Sequence, residues 1–207
     1  MRILLDYGGV LAFHGDERDH ADLLGVDSEV DPYPGWIAYF AFRDGFVTTE
    51  AGYLDLLSTL TGADRAACRE YVERTWRSPE VPETHVAAIE ELAADHELYV
   101  HGNMALPWVE AVLEDHAIRD CFAELVVSSD VGRAKPHPRG YLRCLEGLDD
   151  GDRVVMVSDE YDEDLFVADA LGIETVWVEQ DDEVPVKEPD YTVESLVTVP
   201  ELLREGN

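Results

Sequence analysis

The sequence predicts an α/β fold, a doubly wound parallel sheet with a helical cap inserted after the first strand. Two features of the apolar pattern predict the sheet and a third predicts the cap. Short apolar runs recur along the chain, and the stretches between them place apolar residues three and four apart, as amphipathic helices do. Such alternation of strand and helix builds a parallel sheet covered on both faces. The gap between the first apolar run and the second is too long for an ordinary crossover, so something is inserted there.

The first strand is Arg2 to Asp6, an apolar run that ends on a carboxylate. Residues 15 to 83 form the cap. Within it, Glu50 to Leu60 and Asp64 to Trp76 carry helical patterning, with Thr61-Gly62-Ala63 as the turn between them. Pro79 and Pro82 mark the return to the core. The helix Thr84 to Asp95 then leads into a strand at Glu97 to His101, and the helix Leu106 to His116 into one at Glu124 to Val127. The same alternation gives Pro138 to Leu148 before the strand Arg153 to Val157, and Glu163 to Leu171 before the strand Glu174 to Val178. A last strand, Tyr191 to Val193, precedes a closing helix at Glu194 to Arg204. Residues 1–14 and 84–207 are thus the core, and residues 15–83 the cap.

At 207 residues and 46% hydrophobic, the chain can bury one domain core and still supply a small accessory lobe. No apolar run approaches the 18 or so residues of a membrane span, and the N-terminus runs directly into the first strand, so a cytoplasmic protein is expected. Cys68, Cys121 and Cys144 are widely spaced and odd in number, which suits buried thiols in a reducing compartment. The formal charge of -31 would repel a nucleic-acid backbone and an anionic membrane, so neither is an expected partner. Charge of that size also disfavours a compact state unless salt screens it, and at about 1 M salt the Debye length is only about 3 Å. A salty cytoplasm is the natural setting. Oligomeric state stays open at this level.

Lysine is scarce. Only Lys135 and Lys187 accompany thirteen arginines, so a retained lysine raises the prior that its compact, strongly hydrated charge does chemistry. In open α/β sheets the ligand binds at the carboxyl ends of the strands, which directs attention to four segments. They are Asp6-Tyr7-Gly8-Gly9-Val10-Leu11 after the first strand, His101-Gly102-Asn103 after the second, Gly132-Arg133-Ala134-Lys135-Pro136, and Ser158-Asp159-Glu160-Tyr161-Asp162-Glu163-Asp164 after the fourth.

In this order the four segments resemble the motifs of the haloacid dehalogenase superfamily, whose core is a Rossmann-like sheet, and the resemblance covers essentially the whole chain. It implies a Mg2+-dependent hydrolase of small phosphorylated metabolites. By that resemblance Asp6 is the nucleophile that forms an aspartyl phosphate, and Lys135 neutralises charge. Asp6, the Gly8 carbonyl, Asp159 and Asp164 serve the metal, and Gly102 and Asn103 border the phosphate. Physical reasons stand beside the analogy. A fixed carboxylate can attack phosphorus in line, but it repels a phosphate dianion unless cations intervene.

Two positions depart from the phosphatase pattern. Gly8 stands where a second Asp usually serves as general acid and base, a role worth about 10² to 10⁴ in rate. Gly102 stands where Ser or Thr is usual. Three readings follow: a phosphatase suited to good leaving groups or given a proton donor by the cap, a 2-haloacid dehalogenase, which needs neither proton donor nor metal, and a catalytically weak protein that binds a phosphometabolite or partner. The carboxylates Asp159 and Asp164 favour the first. Tyr33, Trp36, Tyr39, Phe40 and Arg43 are candidates to line the mouth, although such aromatics more often pack a cap's own core. His14, His101 and His137 sit singly and read as local hydrogen-bonding residues.

Overall fold

The computed structural model describes residues 1–179 and 185–205. Six parallel strands form one sheet: β1 (Arg2–Leu5), β2 (Glu97–Gly102), β3 (Phe122–Val127), β4 (Val154–Ser158), β5 (Glu174–Val178) and β6 (Tyr191–Val193). Their order is β3-β2-β1-β4-β5-β6. The order reverses at β1, which pairs with β2 on one side (Leu5 opposite Val100) and with β4 on the other (Leu5 opposite Val157). That reversal opens a crevice beyond the carboxyl ends of β1 and β4.

Alternation along the strands sends Ile3, Leu5, Val100, Val155 and Val157 to one face and Leu4, Tyr99, Met156 and Trp177 to the other. The first face is covered by α4 (Glu83–Asp95), α5 (Leu106–Asp115) and α9 (Val199–Glu205), through residues such as Ile89, Val109 and Leu203. The second is covered by α7 (Arg139–Cys144) and α8 (Phe166–Ala170), with the short α6 (Ser128–Val131) beside them. Strands buried on both faces must be apolar throughout, which is why they read as unbroken runs in the sequence.

A 3-10 helix at Glu17–Leu24 and the helices α1 (Pro34–Arg43), α2 (Glu50–Thr61) and α3 (Arg65–Thr75) lie between β1 and α4. Local chemistry sets their ends. Thr49 accepts from Gly52 N and Asp64 from Ala66 N and Ala67 N, while Gly62 ends α2 at φ 76°, a conformation glycine reaches without Cβ strain. The chain leaves and re-enters the core along paired linkers, Phe13 N donating to Glu80 O at 2.8 Å and Glu80 N to Phe13 O at 2.9 Å. Trp108 of α5 packs against Phe42, Tyr53 and Trp76, so the inserted helices share one apolar core with the sheet.

Three expected helices differ in extent. The stretch expected at Pro138 to Leu148 is helical only over Arg139–Cys144, with Gly147 in a left-handed turn soon after. The expected Glu163 to Leu171 begins instead as a π turn at Tyr161–Leu165. The closing helix starts at Val199 rather than Glu194, because Pro200 lacks an N–H and fits only a first turn. Helix α1 was not singled out in the pattern, since the aromatic segment is apolar nearly all round.

Candidate active site

Each of the four predicted segments reaches the same crevice. Asp6 follows β1 directly, Gly102 ends β2 with Asn103 next, Lys135 lies in the loop between α6 and α7, and Asp159 follows β4. Asp164 is reached through the π turn. The wider ring of that turn takes in one residue more than an α turn, and it carries the Asp164 carboxylate back under the crevice.

Lys135 Nζ donates to Asp6 Oδ1 and to Asp164 Oδ2, both at 2.6 Å. Asp164 is fully buried, and its Oδ2 also accepts from Ser158 Oγ at 2.6 Å. Tyr7 N donates to Asp6 Oδ1 at 2.7 Å, so the recorded hydrogen bonds to this carboxylate fall on one oxygen and leave Oδ2 for chemistry. Asn103 braces the lysine loop: its Oδ1 accepts from Lys135 N at 2.7 Å, and its Nδ2 donates to Lys135 O at 3.3 Å. Asp159 packs over the β1 turn so closely that a Cβ at Gly9 (φ 73°) would lie 1.9 Å from Asp159 Oδ2. A Cβ at Gly102 would lie 3.0 Å from Tyr7 Cβ, a tight fit that accounts for glycine in place of a hydroxyl residue.

The electrostatics follow from burial and crowding. Burial pulls Lys135 down, but Asp164 and Asp6 outweigh it and hold the ammonium well above its ordinary value. Burial, then the charge of Asp6, pushes Asp159 up to about 7. Burial pushes Asp164 up as well, against the pull of Lys135. Asp6, Asp159 and Asp164 line one cavity with Lys135, whose ammonium pairs with Asp6 and Asp164, so three carboxyl groups face one cation.

A hydrated divalent cation fits this donor set. Among the described residues no three His, Cys, Asp or Glu side chains gather as a metal cage. Mg2+ does not require one, because it keeps several waters and takes one or two carboxylates with substrate oxygens. In the β1 turn Tyr7 O accepts from Leu11 N and Ala12 N, whereas the Gly8 carbonyl takes none of the hydrogen bonds that close the turn. Asp6, Gly8 O and Asp159 would hold the ion, and Asp164 would stand behind them fixing Lys135.

The cavity measures about 330 Å³. Besides the residues assigned to the site it is lined by His14, Glu17, Trp76, Met104, Glu160 and Glu163, and by Tyr39 from the expected mouth. Of the five expected mouth residues only Tyr39 borders it. Tyr33 is buried with its hydroxyl on Glu17 O, Phe40 faces solvent, Arg43 pairs with Asp44, and Trp36 Nε1 donates to Glu17. Tyr39 stacks on Trp76 at 4.7 Å and donates to Asn103 O at 2.6 Å, so an inserted helix touches the loop after β2 directly. Ser158 was missed by the sequence reading, although a hydroxyl immediately before Asp159 at a strand end was a usable signal. His101 lies behind the site against Tyr141, and His137 is exposed on the surface.

With this geometry established, comparison with known proteins gives the family. A family model described as haloacid dehalogenase-like hydrolase matches residues 35–172, about two thirds of the chain. The chain belongs to that hydrolase family. Pyrimidine 5'-nucleotidase YjjG of Escherichia coli (strain K12) is 36% identical over 98 residues, which cover 44% of this chain and 42% of the relative, so under half the relative's length is matched. Among solved structures, 2-haloacid dehalogenase from Pseudomonas syringae pv. Tomato DC3000 superposes on this hydrolase with a TM-score of 0.73 at 19% identity, covering 100% of this chain and 99% of its own. HAD phosphatase from Thermococcus onnurineus gives 0.72 at 18% identity, covering 98% and 97%. At these identities the likeness is one of fold, and a dehalogenase and a phosphatase share it. No helix among the described residues is long and apolar enough to cross a membrane.

Proposed function

We propose that this hydrolase is a Mg2+-dependent phosphatase of small phosphorylated metabolites, working through an aspartyl phosphate at Asp6. The observation that carries the reading is a cavity in which three carboxyl groups, Asp6, Asp159 and Asp164, face one ammonium, Lys135, which pairs with Asp6 and Asp164. Displacement of a halide by Asp6 needs no cation, and carboxylates left without one beside Asp6 would repel the attacking group, whereas a metal-assisted phosphoryl transfer uses a second carboxylate to hold the ion. Its acidic charge and scarcity of lysine further support work in a concentrated-salt cytoplasm.

The roles follow from the contacts. Asp6, pinned through Oδ1 by Lys135 and Tyr7 N, presents Oδ2 to phosphorus; the new Oδ2–P bond forms as the ester P–O bond breaks. Lys135 offsets the charge that gathers on the transferring phosphoryl oxygens. Asn103 holds the lysine loop and offers its backbone N–H beside Gly102. Bound at Asp6, Gly8 O and Asp159, Mg2+ supplies the positive charge that lets a carboxylate approach a phosphate dianion. With no carboxyl at Gly8, the departing oxygen takes its proton from water, which favours esters with good leaving groups.

The test is phosphate release in concentrated KCl from p-nitrophenyl phosphate and a panel of sugar phosphates, with and without Mg2+. Metal-dependent turnover that Asp6→Asn abolishes is expected; undiminished turnover by that variant sinks the nucleophile. The bare Gly8 favours dehalogenation as the second reading, since a halide needs no proton. Chloride release from 2-chloropropionate without metal would establish it, and silence in both assays would leave a binding protein.

A further inference from the structure

His14 occupies the point where the chain leaves the core, one residue beyond the linker pairing at Phe13. It lines the cavity together with Asp6 and Gly8. Its Nδ1 lies 3.5 Å from Thr75 O, and a carbonyl only accepts, so this contact is a hydrogen bond when Nδ1 carries the proton, the tautomer that leaves the lone pair on Nε2. Nε2 is buried and has no partner among the described residues. Packing fixes the ring: Tyr7 lies 5.6 Å away on one side and Trp76 6.0 Å away on another. A buried, unsatisfied acceptor is costly unless something pairs with it. The ring that carries it borders the cavity that also holds the nucleophile.

We propose that the His14 imidazole is the general base of the second half-reaction, standing in for the carboxyl absent at Gly8. The inference rests on the phosphatase reading and deepens it. Water attacks the phosphorus of the aspartyl phosphate as Nε2 takes one of its protons. The new O–P bond forms, the P–Oδ2 bond breaks with its electron pair returning to Asp6, and the imidazolium passes its proton to solvent. The groups facing the ring leave it neutral and basic at rest. Burial lowers its affinity for a proton, the Thr75 carbonyl and Glu17 raise it less, and Tyr7 and Trp76 bring no charge. A neutral base serves dephosphorylation directly but is a poor donor to a departing alkoxide, in keeping with the leaving-group bias above.

The experiment compares wild type, His14→Asn and Asp6→Asn on p-nitrophenyl phosphate with Mg2+ in concentrated KCl. Asparagine keeps an N–H where Nδ1 stood and removes Nε2, so a merely structural histidine would be replaced without kinetic effect. The expected result is a burst of about one equivalent of p-nitrophenolate, turnover lowered about 100-fold, and phosphorylated protein trapped by acid quenching and read by intact mass. If His14→Asn folds poorly, His14→Ala with free imidazole decides: restored turnover of the phosphoprotein supports the role, and no restoration overturns it. Unchanged turnover in His14→Asn, or slow turnover without phosphoprotein, also overturns it while leaving the phosphatase intact. No phosphate release by wild type would overturn both.

Discussion

Gly8→Asp should install the proton donor that this site lacks, and the structure allows the change. A Cβ built at Gly8 meets no atom within 4 Å, and its backbone lies outside the left-handed region. The neighbouring Gly9 is the contrast, with φ 73° and an Asp159 oxygen 1.9 Å from its would-be Cβ. The new carboxyl would join a cavity where burial and the charge of Asp6 already push Asp159 up to about 7. The same surroundings favour the protonated form that a general acid needs. Proton donation to a leaving group is worth about 10² to 10⁴ in rate. The lower limit, about 100-fold, corresponds to about 2.7 kcal/mol of transition-state stabilisation. We take that limit, because an added carboxyl also weakens the pull of the site on an anionic ester. The assay is kcat/KM for an alkyl phosphate such as β-glycerophosphate against p-nitrophenyl phosphate, whose leaving group needs no proton. The expected outcome is a rise of about 100-fold for the first and little change for the second. An equal change for both esters, in either direction, would refute the reasoning.

Two further predictions concern charge. In the metal-free protein Asp159 is raised from 3.8 to about 7, so the folded state holds a proton that the unfolded state has released. Stability present below the unfolded value is therefore lost as pH rises from 3.8 to about 7. Mg2+ must displace that proton, so its apparent affinity should rise about tenfold per pH unit up to neutrality and then level off. Calorimetric titration at about pH 6 and about pH 8 checks this, and equal affinities would contradict it. With a formal charge of -31, the melting midpoint should fall as KCl is diluted, since the Debye length grows from about 3 Å at 1 M to about 10 Å at 0.1 M. Mg2+ should restore part of the loss by binding only the folded state, and a melting curve indifferent to salt would argue against this.

The sequence by itself determined the features that depend on near neighbours. An apolar run closed by Asp6 marks a strand with a carboxylate at its end, and Thr49, Gly62 and Asp64 set the ends of α2 and α3 by bonding within a few residues. The alternation of apolar runs with helical spacing was enough to predict the sheet, the long gap after the first run to predict an insertion, and the polar strand ends to predict the residues at the carboxyl edge, because an apolar period and a strand end are both local. Tertiary structure alone decided what those residues touch. Lys135 meets Asp6 across 129 positions only because the loop between α6 and α7 folds over the carboxyl end of β1, and Asp159 comes beside them because β1 and β4 are neighbours in the sheet. The π turn that delivers Asp164, the choice of Tyr39 over its aromatic neighbours, and the buried Nε2 of the cavity-lining His14 left no periodic trace. Each depends on how elements distant in sequence pack, and side chains selected by packing geometry carry no spacing that a sequence can display.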